Sequence, residues 1–173
     1  MDIEKCIAML SNNKIRIQTL LQGVTQEEAR YKPHPDSWSM LEVINHLFDE
    51  EKEDFRHRLK GVLHDPTRDL PPINPEAWIM DRSYNTREFL DSIHNFLDER
   101  DKSLQWLKSL SSPDWDQTYQ RGDFTIRAGD IFASWIAHDQ LHMRQLIELQ
   151  REILLMAAGS YQVDYAGLWE QED

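Results

Sequence analysis

His138 and His142, in the run W-I-A-H-D-Q-L-H-M-R-Q-L, stand four residues apart. On a helix that spacing stacks both side chains on one face, where two imidazoles can reach a single metal ion. A third nitrogen ligand has to come from another element, and His46, in W-S-M-L-E-V-I-N-H-L, is the candidate. Three neutral imidazoles that leave one coordination position open form the pattern of a catalytic zinc-type site, in contrast to a closed structural one.

The surrounding pattern raises the interest of the pair. At about 100° per residue, Ile131, Trp135, His138, His142, Leu149, Ile153 and Met156 fall within roughly 60° of arc, so the histidines interrupt an apolar stripe. Buried imidazoles need partners for both ring nitrogens. Metal ligation supplies them, and so does ordinary hydrogen bonding to core carboxylates. The residues alone leave both readings open. His46 lies beyond the edge of the arc defined by Leu41, Ile44, Phe48, Phe55 and Leu59, which fits either a ligand at the lip of a cleft or a surface histidine.

Two carboxylates are candidates for acid–base work by position. Glu50 follows His46 by one helical turn and either holds the imidazole tautomer or is another solvated acid. Most other acids of D-E-E-K-E-D read as solvated. Asp139 follows His138 directly but points about 100° away from it. Zincin chemistry places glutamate there, and di-iron bundles require Glu-x-x-His, which is absent. His34 and His64 read as solvated loop residues, His57 and His94 as flanks of helical stripes, and Cys6 as a small core residue. Arg100, near an apolar stripe, suggests a snorkelling side chain or a buried ion pair, with anion binding as a third option.

Four helical segments must position these groups. Residues 2–22 form the first, stopped by Gly23. Ser39-x-x-Glu42 has capping-box spacing and starts a second that runs to about Gly61. A proline-rich irregular connection over 62–75 and a short helical piece near 76–82 follow. Asn85-x-x-Glu88 offers a cap for the third helix, closed by Ser111, Ser112 and Pro113. The fourth runs from near Thr125 to just before Gly159. No alternating run flanks a hairpin dipeptide, so little strand is expected. The expectation is an all-α four-helix bundle in one domain over residues 1–173.

Composition bounds the partners. Among 173 residues, 31 acids face 19 bases for a net charge of −12, which argues against nucleic-acid and anionic-membrane binding. A lone cysteine excludes an internal disulfide, and no signal-peptide or membrane-spanning pattern is present, so a soluble cytoplasmic protein is expected. The aromatic tail Y-Q-V-D-Y-A-G-L-W, with Tyr161, Tyr165 and Trp169, either packs on the bundle or folds over its mouth as a lid.

Trp38-Ser39, Glu42 and His46-Leu47, followed by His138-Asp139-x-x-His142-x-x-Gln145 in the last long helix, resemble the DinB superfamily of DinB/YfiT-like metalloenzymes. The resemblance covers essentially the whole chain. It implies a four-helix bundle that binds one divalent metal ion (Zn, Ni or Fe) through His46, His138 and His142. It also implies an intracellular homodimer, with relatives that are S-transferases using a low-molecular-weight thiol such as bacillithiol or mycothiol. An open three-histidine site leads to the expectation of a metal-dependent hydrolase or transferase acting on a small molecule. A non-catalytic, metal-stabilised dimer or a small-ligand binding protein is the competing class.

Overall fold

Helix α1 (Ile3–Leu20) begins at Asp2, whose carboxylate accepts from the Lys5 amide, and ends ahead of Gly23, which takes a φ of 82°. The computed structural model describes residues 1–167 and residue 169. A short α2 (Gln26–Arg30) follows, started by a Thr25–Glu28 capping box that the sequence reading passed over. The Ser39–Glu42 capping box forms as its spacing requires and starts α3 (Met40–Asp49). Glu50–Phe55 then wind as a π-helix before α4 (Arg56–His64).

The remaining elements are α5 (Pro75–Asp81), a 3-10 turn at Tyr84–Thr86, α6 (Phe89–Ser109), strands β1 (Thr118–Arg121) and β2 (Phe124–Arg127), and α7 (Ala128–Ala158). Among the described residues no helix is long and apolar enough to cross a membrane.

Cross-helix contacts fix the directions. Asn13 bonds Asp139 and Leu20 bonds Gln150, so α1 runs parallel to α7. Asn45 bonds Ser92, and Arg56 bonds Ser103, so α3 and its π extension run parallel to α6. Two consecutive bundle helices pointing the same way require a connection that travels back along the bundle. The long segment between α4 and α6 makes that return journey. It brings Arg82 and Tyr84 back over α3, where both bond Asp49 at 2.7 and 2.5 Å.

The packing around α3, from the crossover on one side and α6 and α7 on the other, departs from the sequence expectation at three points. Helix α3 is buried on nearly all sides, His46 included, where a one-sided stripe was expected. Asp49 and Glu51 are buried where solvated acids were expected, and Glu50 is buried beside them. The third bundle helix takes Glu88 as its N-cap, because Asn85 is occupied elsewhere: its Oδ1 accepts from Ser39 Oγ and its Nδ2 donates to Arg30 O.

The expectation of little strand holds: among the described residues strand is confined to one antiparallel hairpin, with Thr118 opposite Arg127 and Arg121 opposite Phe124. Gly122, at a φ of 57°, and Asp123 form its turn. Only Tyr119 of its strands is fully buried, so the hairpin carries no alternating pattern to read. Helix α7 accordingly starts at Ala128, three residues later than Thr125.

Two apolar clusters form the core. One gathers Ile17, Leu41, Ile44, Phe96 and Leu146, and the other Leu10, Leu59, Leu104, Phe132 and Trp135. Among buried polar residues, Asn13, Glu51, Arg100 and Asp139 are joined in one ionic network linking α1, the π segment, α6 and α7.

A candidate metal centre

The antiparallel packing of α3 on α7 brings His46 to the His138–His142 face. His46 Nε2 lies 3.2 Å from His138 Nε2, and His142 Nε2 lies 3.1 Å from the same atom. The three ring centroids are 4.4 to 5.2 Å apart. All three residues present a nitrogen to one small volume. A tetrahedral ion with bonds of about 2.0–2.1 Å spaces its nitrogen ligands by roughly 3.3 Å, so the observed separations fit such an ion.

The protonation states agree with that fit. Burial, and then the neighbouring histidines, lower the His46 pKa to about 2. Burial, then His142 and Arg100, lower that of His138 to about 3, and burial lowers that of His142. The imidazoles are thus held neutral, the form that offers a lone pair to a metal. Gln145 Oε1 lies 2.8 Å from His142 Nδ1, which places the His142 proton on Nδ1 and leaves Nε2 free to coordinate.

Gln145 occupies the position three after His142, on the same helical face, so its part was legible in the spacing although the sequence reading gave it none. Substituting Gln145→Leu is expected to weaken zinc affinity by about 10- to 100-fold in competition titration, with the fold intact. Unaltered affinity would remove Gln145 from the centre.

Two aromatic residues wall the site. Trp38, fixed by the Ser39 cap that follows it, sits edge-on to His46 at 4.8 Å and stacks on His142 at 5.9 Å with an 11° interplanar angle. Phe55, at the end of the π segment, lies 5.0 Å from His138 and stacks on Trp135. Trp38 was legible as part of a motif but not as a wall. The position of Phe55 depends on the π winding, which the sequence does not announce.

The two carboxylates part company. Asp139 Oδ1 and Oδ2 accept from Arg100 Nη2 and Nη1 at 2.8 Å, and Oδ2 also accepts from Asn13 at 3.1 Å. Both oxygens are therefore engaged in anchoring α7, and Arg100 resolves as the buried ion pair among its three options. Glu50 is not bonded to His46: His46 Nδ1 and Glu50 Oε1 are both buried without a hydrogen-bond partner. Burial, and then Asp54, raise the Glu50 pKa to about 8.

His34, His57, His64 and His94 are exposed, and Cys6 packs half-buried beside the second core cluster. Among the described residues of the tail, Tyr161 and Tyr165 are exposed, and Trp169 meets the Arg151 guanidinium at 5.2 Å. Leu168 lies outside the described residues. Helix α7 ends at Gly159, which takes a φ of 60°.

Comparison with known proteins agrees with this architecture. YfiT from Bacillus subtilis, described as a probable metal-dependent hydrolase with an unusual four-helix bundle topology, superposes with a TM-score of 0.76 over 87% of this chain and 87% of that one. At 18% identity the likeness is one of fold. No curated protein matches the sequence. The family model of the DinB superfamily matches residues 10–146, a span that holds all three histidines and Gln145, and the chain belongs to that superfamily.

Proposed function

We propose that the protein is a divalent-metal-dependent hydrolase of a small molecule, with the ion held by His46, His138 and His142. The observation that carries this reading is the convergence of three neutral Nε2 atoms from two helices, 3.1 and 3.2 Å apart. A bound zinc, nickel or iron ion supplies Lewis acidity that activates a nucleophile or polarises a substrate oxygen. Three ligands leave a position open for that purpose.

The chain's own groups complete the site. Trp38 and Phe55 restrict water around the imidazoles. Glu50, one turn after His46, is protonated at neutral pH and is the better placed of the two carboxyls to exchange a proton, since Asp139 is tied to Arg100. The description of YfiT as a hydrolase supports hydrolysis over S-transfer, which would use the same imidazoles with a thiol as nucleophile.

The test is an assay of zinc-, nickel- and iron-loaded protein against ester, amide and phosphoester panels, with and without added thiol. Turnover that needs metal and ignores thiol is expected. Turnover only with thiol would overturn the hydrolase reading, and none under any condition would favour a binding protein.

Glu50→Gln gives a sharper result in the same assay. Loss of the carboxyl is expected to lower kcat by about 10²- to 10⁴-fold with metal content retained. Stability should move the other way. The folded pKa of about 8 lies above the ordinary 4.5, so this carboxyl withdraws stability as pH rises through that window. Glutamine removes that slope, and thermal unfolding above pH 8 should show a higher Tm than wild type. A variant that keeps full kcat would leave Glu50 with no catalytic part.

A further inference from the structure

A cavity of about 990 Å³ opens between α4, the proline-rich connection and the β-hairpin, and it shares no lining residue with the three-histidine centre. Its walls are held in place by direct contacts. Arg58 donates to Pro71 O at 3.0 Å, the Leu70 amide reaches the Tyr119 hydroxyl at 3.5 Å, and Arg121 pairs with Asp69. The connection presses so closely on α4 that a Cβ at Gly61 would lie 2.8 Å from Leu70 Cδ2. The space is therefore built into the fold, at the upper end of the size of small-molecule pockets.

Its charge opposes that of the chain. The protein carries a net −12, yet Arg58, Lys60, Arg68 and Arg121 line this cavity against only Asp65 and Asp69. Arg58 and Arg121 have carboxylate partners in Asp54 and Asp69. Lys60 and Arg68 join no ion pair among the described residues, and His57 and His64, seven residues apart on α4, line the same cavity. A concave wall of like charge concentrates potential and draws in counter-ions.

The hairpin adds aromatic surface. Tyr119 is buried and Phe124 is 56% exposed, with ring centroids 6.5 Å apart. Phe124, next to the hairpin turn and more than half exposed, adds little to the core, and it lines the cavity.

We propose that this cavity is a second small-molecule site that takes an aromatic anion, a ring compound bearing phosphate or carboxylate. The ring packs against Phe124 and Tyr119, and the anionic group is held by Lys60 and Arg68. Occupancy does not depend on metal.

Phenyl phosphate, 2-naphthoate and adenosine monophosphate are the probes, titrated into the full chain by calorimetry and ligand-observed NMR. At least one is expected to bind wild type with Kd below about 1 mM, and roughly tenfold more tightly than its uncharged counterpart (phenol, 2-naphthol or adenosine). K60E/R68E should weaken binding at least about tenfold, and R68E alone, in an exposed loop, should weaken it in the same direction. F124A should cost about threefold or more. H46A should leave binding unchanged. Failure of all three anions on wild type overturns the proposal, as does binding that K60E/R68E and R68E leave intact. Loss on H46A would assign the binding to the histidine centre and overturn it equally.

Discussion

Alanine at His46, His138 or His142 is expected to take the divalent metal content of the purified protein from about one ion per chain to below about a tenth. Each substitution leaves two imidazoles, and two neutral nitrogens do not hold an open-site ion against buffer and cellular chelators. His46→Ala is the most informative of the three. It leaves the His138–His142 pair on α7 intact and removes only the ligand delivered by α3, so it asks whether tertiary packing makes the site.

A second readout comes from stability. An ion that binds the folded state alone stabilises it by about 2.7 kcal/mol at a hundred times its Kd. For a chain of this size that is a Tm increase of roughly 5–11 °C. Wild type should show that shift with added zinc or nickel, and the three variants should not. A wild type that takes up neither ion, nor ferrous iron, would leave the histidines as core residues hydrogen-bonded to one another.

Arg100→Met is expected to have the largest effect on folding. Arg100 is fully buried, with Nε on Glu51 Oε1 at 2.8 Å and its two terminal nitrogens on Asp139 at 2.8 Å. Trp135 Nε1 donates to the other Glu51 oxygen at 2.9 Å. Removing the cation strands two carboxylates where water cannot reach them. Breaking a buried pair in this way costs about 3–5 kcal/mol. The corresponding fall in Tm is roughly 6–20 °C.

Lysine should not rescue the loss, because one ammonium cannot reproduce the planar bidentate contact. The triple variant R100M/E51Q/D139N should recover part of the stability, since it removes the unpaired charges themselves. Asp139 adjoins His138, so the single variant should also bind metal more weakly, through displacement of α7 and not through loss of a ligand. An Arg100→Met protein that unfolds like wild type would show the network to be energetically idle.

The sequence by itself determined the long bundle helices and which side chains could serve a metal ion. Local rules sufficed there: the Ser39–Glu42 cap starts α3 as its spacing requires, and the i,i+4 spacing of His138 and His142 puts both on one face of α7. The Gln145 contact belongs to the same class, three residues from His142 on one helix.

The tertiary structure decided what depends on residues far apart in the chain. His46 read as a surface or cleft-edge residue because helical periodicity sees one buried face, whereas α3 is covered on nearly every side, and His46 packs against Trp38 and the His138–His142 face of α7. The returning crossover covers Asp49, and Arg100 and Trp135 hold Glu51 in the core, two acids that composition alone sends to solvent. Asp139 looked like a neighbour of the histidines, and its contacts with Arg100 and Asn13, 39 and 126 residues away, make it an anchor of the bundle instead. The hairpin escaped because a strand pair with one buried residue carries no alternation. Periodicity fixes which residues share a face of an element; which face meets which is settled only when the elements pack.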